Sequence, residues 1–351
     1  MSWRRFWRTA LLVALAVAGA LYGALVVVDP YDSLRLSPPL ARAPVSSNQR
    51  FAFPALARKP DFDSAIIGTS TTRLLRPGAL NRELGGAFVN LSMNSGTAHE
   101  QARILELFAR HHPGARAVVV GIDGTWCRVE DSYPLYTNRP FPPWMYDEDP
   151  WNDLLHIFNL PAIEEAGKQL AWLLRIKPLR YGLDGYTNFL PPEESYDLER
   201  ARGHIYGPGG PKERPNADPP VEAGAAERAS WRYATHRLLA EMLAGLPAET
   251  LKVLLFVPYH QYLLPGRGTL EAARLDECKR RILTMVRKVA NAHVLDFMIR
   301  SEITGRDENY WDPLHYSVKV ADLVATLIGQ GVRERRGRPG LFAYLGPDGP
   351  G

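Results

Sequence analysis

The chain has 351 residues, 46% of them hydrophobic, a formal net charge of +4 and a pI near 9.0. That length and composition suffice for one sizeable core plus a smaller appended region. The basic excess is mild and gathers at the two ends, with no Lys/Arg stripe interleaved with aromatics, so nucleic acid is not an expected partner.

Residues Thr9 to Val28 carry no charge. Twenty such residues at ~1.5 Å rise cross a hydrocarbon core of ~30 Å. Arg4, Arg5 and Arg8 precede them and Asp29 and Asp32 follow, which predicts a cytoplasmic N-terminus and an extracytoplasmic remainder, a single-pass inner-membrane protein. Ala18-Gly19-Ala20 resembles a cleavage site, but an apolar region of this length favours an uncleaved anchor over residues 1–30. Residues 31–59 read as a linker.

Five short apolar runs then predict buried strands: Ser64 to Ile67, Ala87 to Leu91, Ala117 to Ile122, Val253 to Val257 and His293 to Phe297. They are continuous rather than alternating, as in a parallel sheet covered on both faces. Helical patterns separate them. Thr97 and Glu100 form a capping box before Ile104, Leu105 and Phe108, and further helices are predicted over about 162–176, 225–246, around Cys278 and over 318–332. The alternation predicts a doubly wound α/β domain over residues 60–332.

A long Pro- and aromatic-rich insertion interrupts it at about 128–216 and is expected to act as a cap, since loops of this length are usually functional. The Arg-, Gly- and Pro-rich segment 333–351 reads as a disordered tail. An extracytoplasmic setting would permit a disulfide between Cys127 and Cys278. Cys278 shares a helix face with Leu275, Ile282, Met285 and Val289, so a buried free thiol is the favoured expectation. Neither cysteine has neighbours at metal-ligand spacing, and no metal or other cofactor is expected.

The chemistry-bearing residues lie at the predicted strand ends, where open α/β sheets place their sites. Ser70 follows the first strand in Gly68-Thr69-Ser70 and heads Ser70-Thr71-Thr72-Arg73, the start of a helical turn. Asp312-Pro313-Leu314-His315 stands just before the last helix. A serine nucleophile needs a base, and the base needs an orienting acceptor. The expected triad is therefore Ser70, His315 and Asp312. The second strand ends at Asn94 and Gly96, and the third at Asp123. Oxyanion donors are expected from Ser70, Gly96 and Asn94, while Arg73, Asp123 and His260 are possible cleft residues. For Asp123 a buried carboxylate bonded to loop N–H groups is the favoured alternative, and for His260 a surface loop position is an equal one.

These segments resemble the SGNH (GDSL-like) hydrolase superfamily, in particular the membrane-anchored bacterial branch that includes the DltD and alginate O-acetylation proteins. The likeness covers about residues 60–127 and 250–330. Gly68-Thr69-Ser70 stands for the first block with threonine in place of its aspartate, Gly96 for the second, and Asp312 to His315 for the last. The third block, G-x-N-D, is replaced by Gly121-Ile122-Asp123-Gly124, which lacks the donor asparagine. The resemblance implies a three-layer α/β/α domain with a five-stranded parallel sheet. It also implies a serine acyl-esterase or O-acyltransferase acting on a cell-envelope polysaccharide. The partners would be an acylated glycan or acyl donor, the bilayer around the N-terminal helix, and envelope acyl-transfer proteins. A non-catalytic glycan-binding or assembly partner and a lipase or thioesterase are the competing expectations.

Overall fold

The computed structural model describes residues 2–346. Before the sheet stand α1 (Trp3–Val28) and α2 (Gln49–Arg58). Then come β1 (Ser64–Ile67), α3 (Pro77–Leu84), β2 (Phe88–Asn90), α4 (Ala98–His111) and β3 (Ala117–Ile122). The middle holds α5 (Asp153–His156), α6 (Leu160–Leu173), α7 (Leu198–Tyr206), α8 (Ala225–Ser230) and α9 (Thr235–Ala244). The chain closes with β4 (Leu251–Phe256), α10 (Leu270–Val286), β5 (Ala292–Asp296), α11 (Val318–Glu334) and β6 (Ala343–Tyr344).

The protein is α/β with one mixed sheet in the order β2-β1-β3-β4-β5-β6. The first five strands are parallel, as their unbroken burial suggested. The expected purely parallel five-stranded sheet is corrected by β6, which pairs antiparallel with β5 through Leu295↔Tyr344 and Asp296↔Ala343. That strand lies in the segment expected to be disordered. It orders because Phe342 and Tyr344 are buried and Phe342 stacks on Phe297 at 4.9 Å. The last part of the expected tail, residues 347–351, lies outside the described residues.

One face of the sheet presents Ile66, Val119, Leu255 and Leu295 to α3 and α11, which supply Leu80, Val324 and Leu327 to the same buried cluster. Neighbouring residues point the other way along each strand, and Ile67, Val118, Val120, Leu254 and Val294 are equally buried. The predicted capping box opens α4: Thr97 accepts from Glu100 N–H and Glu100 accepts from Thr97 N–H. The predicted helix at 225–246 is broken into α8 and α9 by residues 231–234.

Glycine placement around β1 and β3 has a steric cause. A Cβ on Gly68 would come within 2.7 Å of Thr72 Cβ, and one on Gly121 within 3.0 Å of the same atom. Glycine inside a strand marks such a close approach. Thr72 can therefore sit against both strands and begin the short 3-10 turn Thr72–Leu74 directly after Ser70.

Cys127 and Cys278 form a disulfide with Cα atoms 5.4 Å apart, which corrects the free-thiol expectation. The apolar periodicity correctly buried Cys278. It could not show that the loop after β3 brings Cys127 against that helix face.

The contacts divide the chain into two compact units, one of residues 1–56 with 140–183 and one of 57–139 with 184–351. The expected cap is thus split: its middle belongs with the N-terminal segment. In that first unit α1 is long and apolar enough to cross a membrane, and almost none of it is buried by the chain. Trp3, Phe6 and Trp7 cluster beside the arginines at its start, an interfacial combination. Arg42, itself buried, donates to the Val27 and Val28 carbonyls at its end. The expected linker 31–59 is packed structure rather than a spacer: Tyr31, Leu34 and Phe53 are buried, and α2 lies within it. Phe141 stacks on Tyr146 and Trp144 on His156, so these insertion aromatics serve packing.

Candidate active site

The strand order reverses direction between β1 and β3, and the crevice beyond such a switch point is where open α/β sheets bind ligands. Ser70 follows β1 at that point and Asp123 follows β3.

His315 joins Ser70 to Asp312. Its Nε2 lies 2.8 Å from Ser70 Oγ, and its Nδ1 lies 2.7 Å from Asp312 Oδ2. A carboxylate only accepts, so Nδ1 carries the proton and Nε2 is the acceptor facing the serine hydroxyl. The other carboxylate oxygen, Oδ1, accepts from the N–H groups of Leu314 at 2.8 Å and His315 at 3.0 Å. One carboxylate thus shapes the loop and orients the ring. Burial pushes the Asp312 carboxyl up, but the hydrogen bond and charge of His315, with the two N–H groups, outweigh it. The net direction is below the ordinary value of 3.8.

The loop is braced on both sides. Tyr310 and Tyr316 bridge across it, and Trp311 N–H donates to the His315 carbonyl. The buried Tyr316 donates its hydroxyl to the Thr71 carbonyl at 2.9 Å, which ties the histidine loop to the serine turn. On the serine side, Thr69 donates to Asp123 Oδ2 at 2.6 Å, while Asp123 Oδ1 accepts from Thr125 N–H at 2.8 Å. Burial raises the Asp123 carboxyl, and these hydrogen bonds oppose it. Asp123 is therefore an internal strut under Thr69 rather than a cleft residue. Thr69 stands where the resembled family has aspartate, and its hydroxyl reaches the aspartate that this chain carries just after β3 instead.

His260 is also corrected. Its side chain is fully buried, its Nδ1 accepts from Tyr262 N–H at 3.2 Å, and its Nε2 therefore donates to Asp307 Oδ1 at 3.1 Å. Burial pushes the imidazole below its ordinary value, and Asp307 opposes the shift. Asp307 accepts as well from Tyr206 at 2.7 Å and Arg202 at 2.8 Å. The His260 backbone N–H donates to the Pro313 carbonyl, so this residue supports the triad loop from beneath.

The expected oxyanion donors divide. Gly96 N–H donates to the Met93 carbonyl at 3.0 Å, closing a turn around Ser95, whose φ of 52° is left-handed. It is engaged inside that turn and is withdrawn as a donor. The N–H groups of Ser70 and Thr71 have no acceptor among the described residues. Asn94 accepts through Oδ1 from the buried Arg73, which assigns the opposite edge of its amide as the donor edge. Arg73 also lies over the Phe189 ring at 4.8 Å, and Phe189 meets the His315 ring edge-on at 5.4 Å. Residue pattern gave no warning of Phe189. Tyr316 was foreshadowed only by its place beside His315.

Arg73 holds the carbonyl edge of Asn94, in the loop that follows the second strand. Asn94→Ala is expected to lower ester turnover about 10²–10³-fold, the usual cost of losing one oxyanion donor. Unchanged turnover with intact circular dichroism would remove Asn94 from the oxyanion site.

No protein-family model, curated protein or solved structure matches this chain.

Proposed function

We propose that the chain is a membrane-anchored serine acyl-esterase or O-acyltransferase of the SGNH type, acting outside the cytoplasm on a cell-envelope polysaccharide. The observation that carries this reading is the unbroken hydrogen-bonded series Asp312–His315–Ser70 at the sheet's switch point. The α/β fold, with five parallel strands in one sheet, supports it as well.

Ser70 Oγ attacks the acyl carbonyl carbon while His315 Nε2 takes its proton. The negative charge on the carbonyl oxygen is met by the N–H groups of Ser70 and Thr71 and by Asn94. His315 then returns the proton to the leaving alcohol oxygen as its bond to the acyl carbon breaks, leaving the acyl group on Ser70. Water or a sugar hydroxyl, deprotonated by His315, attacks that ester and releases Ser70. Water gives an esterase and a sugar hydroxyl gives a transferase. Asp312 stabilises the imidazolium formed in both halves.

Hydrolysis of p-nitrophenyl acetate by the full chain tests the chemistry. The reading requires turnover that Ser70→Ala lowers by several orders of magnitude; equal turnover in both would refute it. For topology, the arginines at the start of α1 and the aspartates after it support a cytoplasmic N-terminus. Alkaline phosphatase fused to the C-terminus is expected to be active. Activity of a cytoplasmic reporter in its place would reverse the orientation.

A further inference from the structure

Helix α6 is inside out. Its buried residues are Ala162, Glu165, Ala166 and Gln169, one face at helical spacing. Glu165 on that face pairs with Lys168, and Gln169 exchanges hydrogen bonds with the Ala43 backbone in both directions. The exposed side carries Leu160 at 67% and Leu170 at 46% exposure, with Leu174 at 69% and Ile176 at 70% just beyond its end. Glu164 and Lys168 fall at its edge. A helix that packs against a domain normally turns its apolar side inward. The residues before α6 continue the exposed surface with Trp151, Leu155 at 82% and Phe158. Large apolar residues exposed together along one segment mark an interaction site.

A neighbour in the same compact unit bears on what covers it. Helix α1, the one described helix able to cross a membrane, packs on α6. Tyr22 of α1 donates to the Leu154 carbonyl at 3.0 Å and meets the Phe158 ring at 5.9 Å. Tyr22 lies six residues before the end of α1 at Val28. At ~1.5 Å per residue that sets the contact ~9 Å along the helix from its end. Amphipathic segments that lie in a membrane interface sit at about that depth, 5–10 Å. Arg175, Lys177 and Arg180 follow α6 and are exposed, and basic residues beside an interfacial segment are attracted to anionic headgroups.

We propose that residues 151–176 form a second lipid-contacting surface, seated in the bilayer leaflet through which the C-terminal end of α1 emerges. The inference rests on α1 spanning the membrane but not on the acyl-transfer chemistry. It gives the middle of the insertion a role distinct from covering a site. The protein is then held to the membrane by a span and an adjoining interfacial patch.

The test uses the full chain in phosphatidylethanolamine–phosphatidylglycerol vesicles, with nitroxide labels on Leu155→Cys and Leu174→Cys in separate preparations. Both native cysteines are paired and take no label. Val13→Cys in α1 is the lipid reference, and Arg237→Cys, whose side chain is 88% exposed, is the water reference. Relaxation enhancement by oxygen is compared with that by a water-soluble nickel chelate. Labels at 155 and 174 are expected to favour oxygen severalfold over the Arg237→Cys label. Chelate access equal to that of Arg237→Cys at both positions, with Val13→Cys still in lipid, would overturn the proposal alone. Chelate access at Val13→Cys as well would instead remove the membrane span on which it rests. Shielding from both reagents would assign the surface to a protein partner and also overturn the proposal. The two labels sit on different segments, so misfolding of one variant leaves the other to decide.

Discussion

Ser70→Ala and His315→Ala are each expected to lower ester turnover by about 10⁴–10⁶-fold, with the double variant scarcely worse than either. The reason is geometric. The serine hydroxyl is a weak nucleophile until its proton can move to Nε2, 2.8 Å away, and the imidazole has no other reacting group to serve. Removing either group removes the same step, so the losses do not add. The backbone N–H donors remain in both variants and leave a residual rate above that of water. Each loss is expected in kcat, with KM little changed, because the proton transfer exists only on the way to the transition state. Losses that multiply in the double variant would show that the two residues act separately.

Asp312→Asn is expected to cost about 10⁴-fold in turnover while leaving the fold intact, as the loss of a triad carboxylate does elsewhere. Asparagine keeps an Oδ1 for the Leu314 and His315 N–H groups, so the loop retains its turn. Its NH₂ would then face Nδ1, which must become the acceptor. The ring proton moves to Nε2, and the base can no longer accept from Ser70. Stability should follow pH in a defined sense. The folded pKa of Asp312 lies below 3.8, so its contribution is fully present above that ordinary value. It is lost as pH falls through the depressed folded value. Urea midpoints of wild type and Asp312→Asn should therefore converge below pH 3.8 and separate above it; a separation unchanged by acid would contradict the linkage.

The parts of this site that a sequence can show are those set by local chain geometry. A serine at the exit of an unbroken apolar run and an aspartate three residues before a histidine each sit within one turn or loop. Their joining follows from the strand order, which the alternation of apolar runs and helices already restricts. Contacts made across large separations left no local trace. Thr69 meets Asp123 across 54 positions, and Tyr316 meets Thr71 across 245. Nothing in Phe189's surroundings points to His315. Histidine after a strand suggested a cleft position for His260, but its depth depends on Asp307, 47 residues later. Composition misled at β6, where Arg, Gly and Pro surround a four-residue apolar segment, Leu341 to Tyr344. At α6 the amphipathic period is plain in the sequence but its direction is not. Period alone tells that a helix has two faces, and only the fold tells which of them is covered.

The most direct test of the central claim, that Ser70 is an activated nucleophile, is peptide mapping after incubating the full chain with a fluorophosphonate. The account predicts one covalent adduct, on the peptide bearing Ser70, formed at neutral pH, absent from Ser70→Ala and strongly slowed in His315→Ala. Failure of folded protein to form an adduct, or an adduct at another residue that persists in Ser70→Ala, would contradict it.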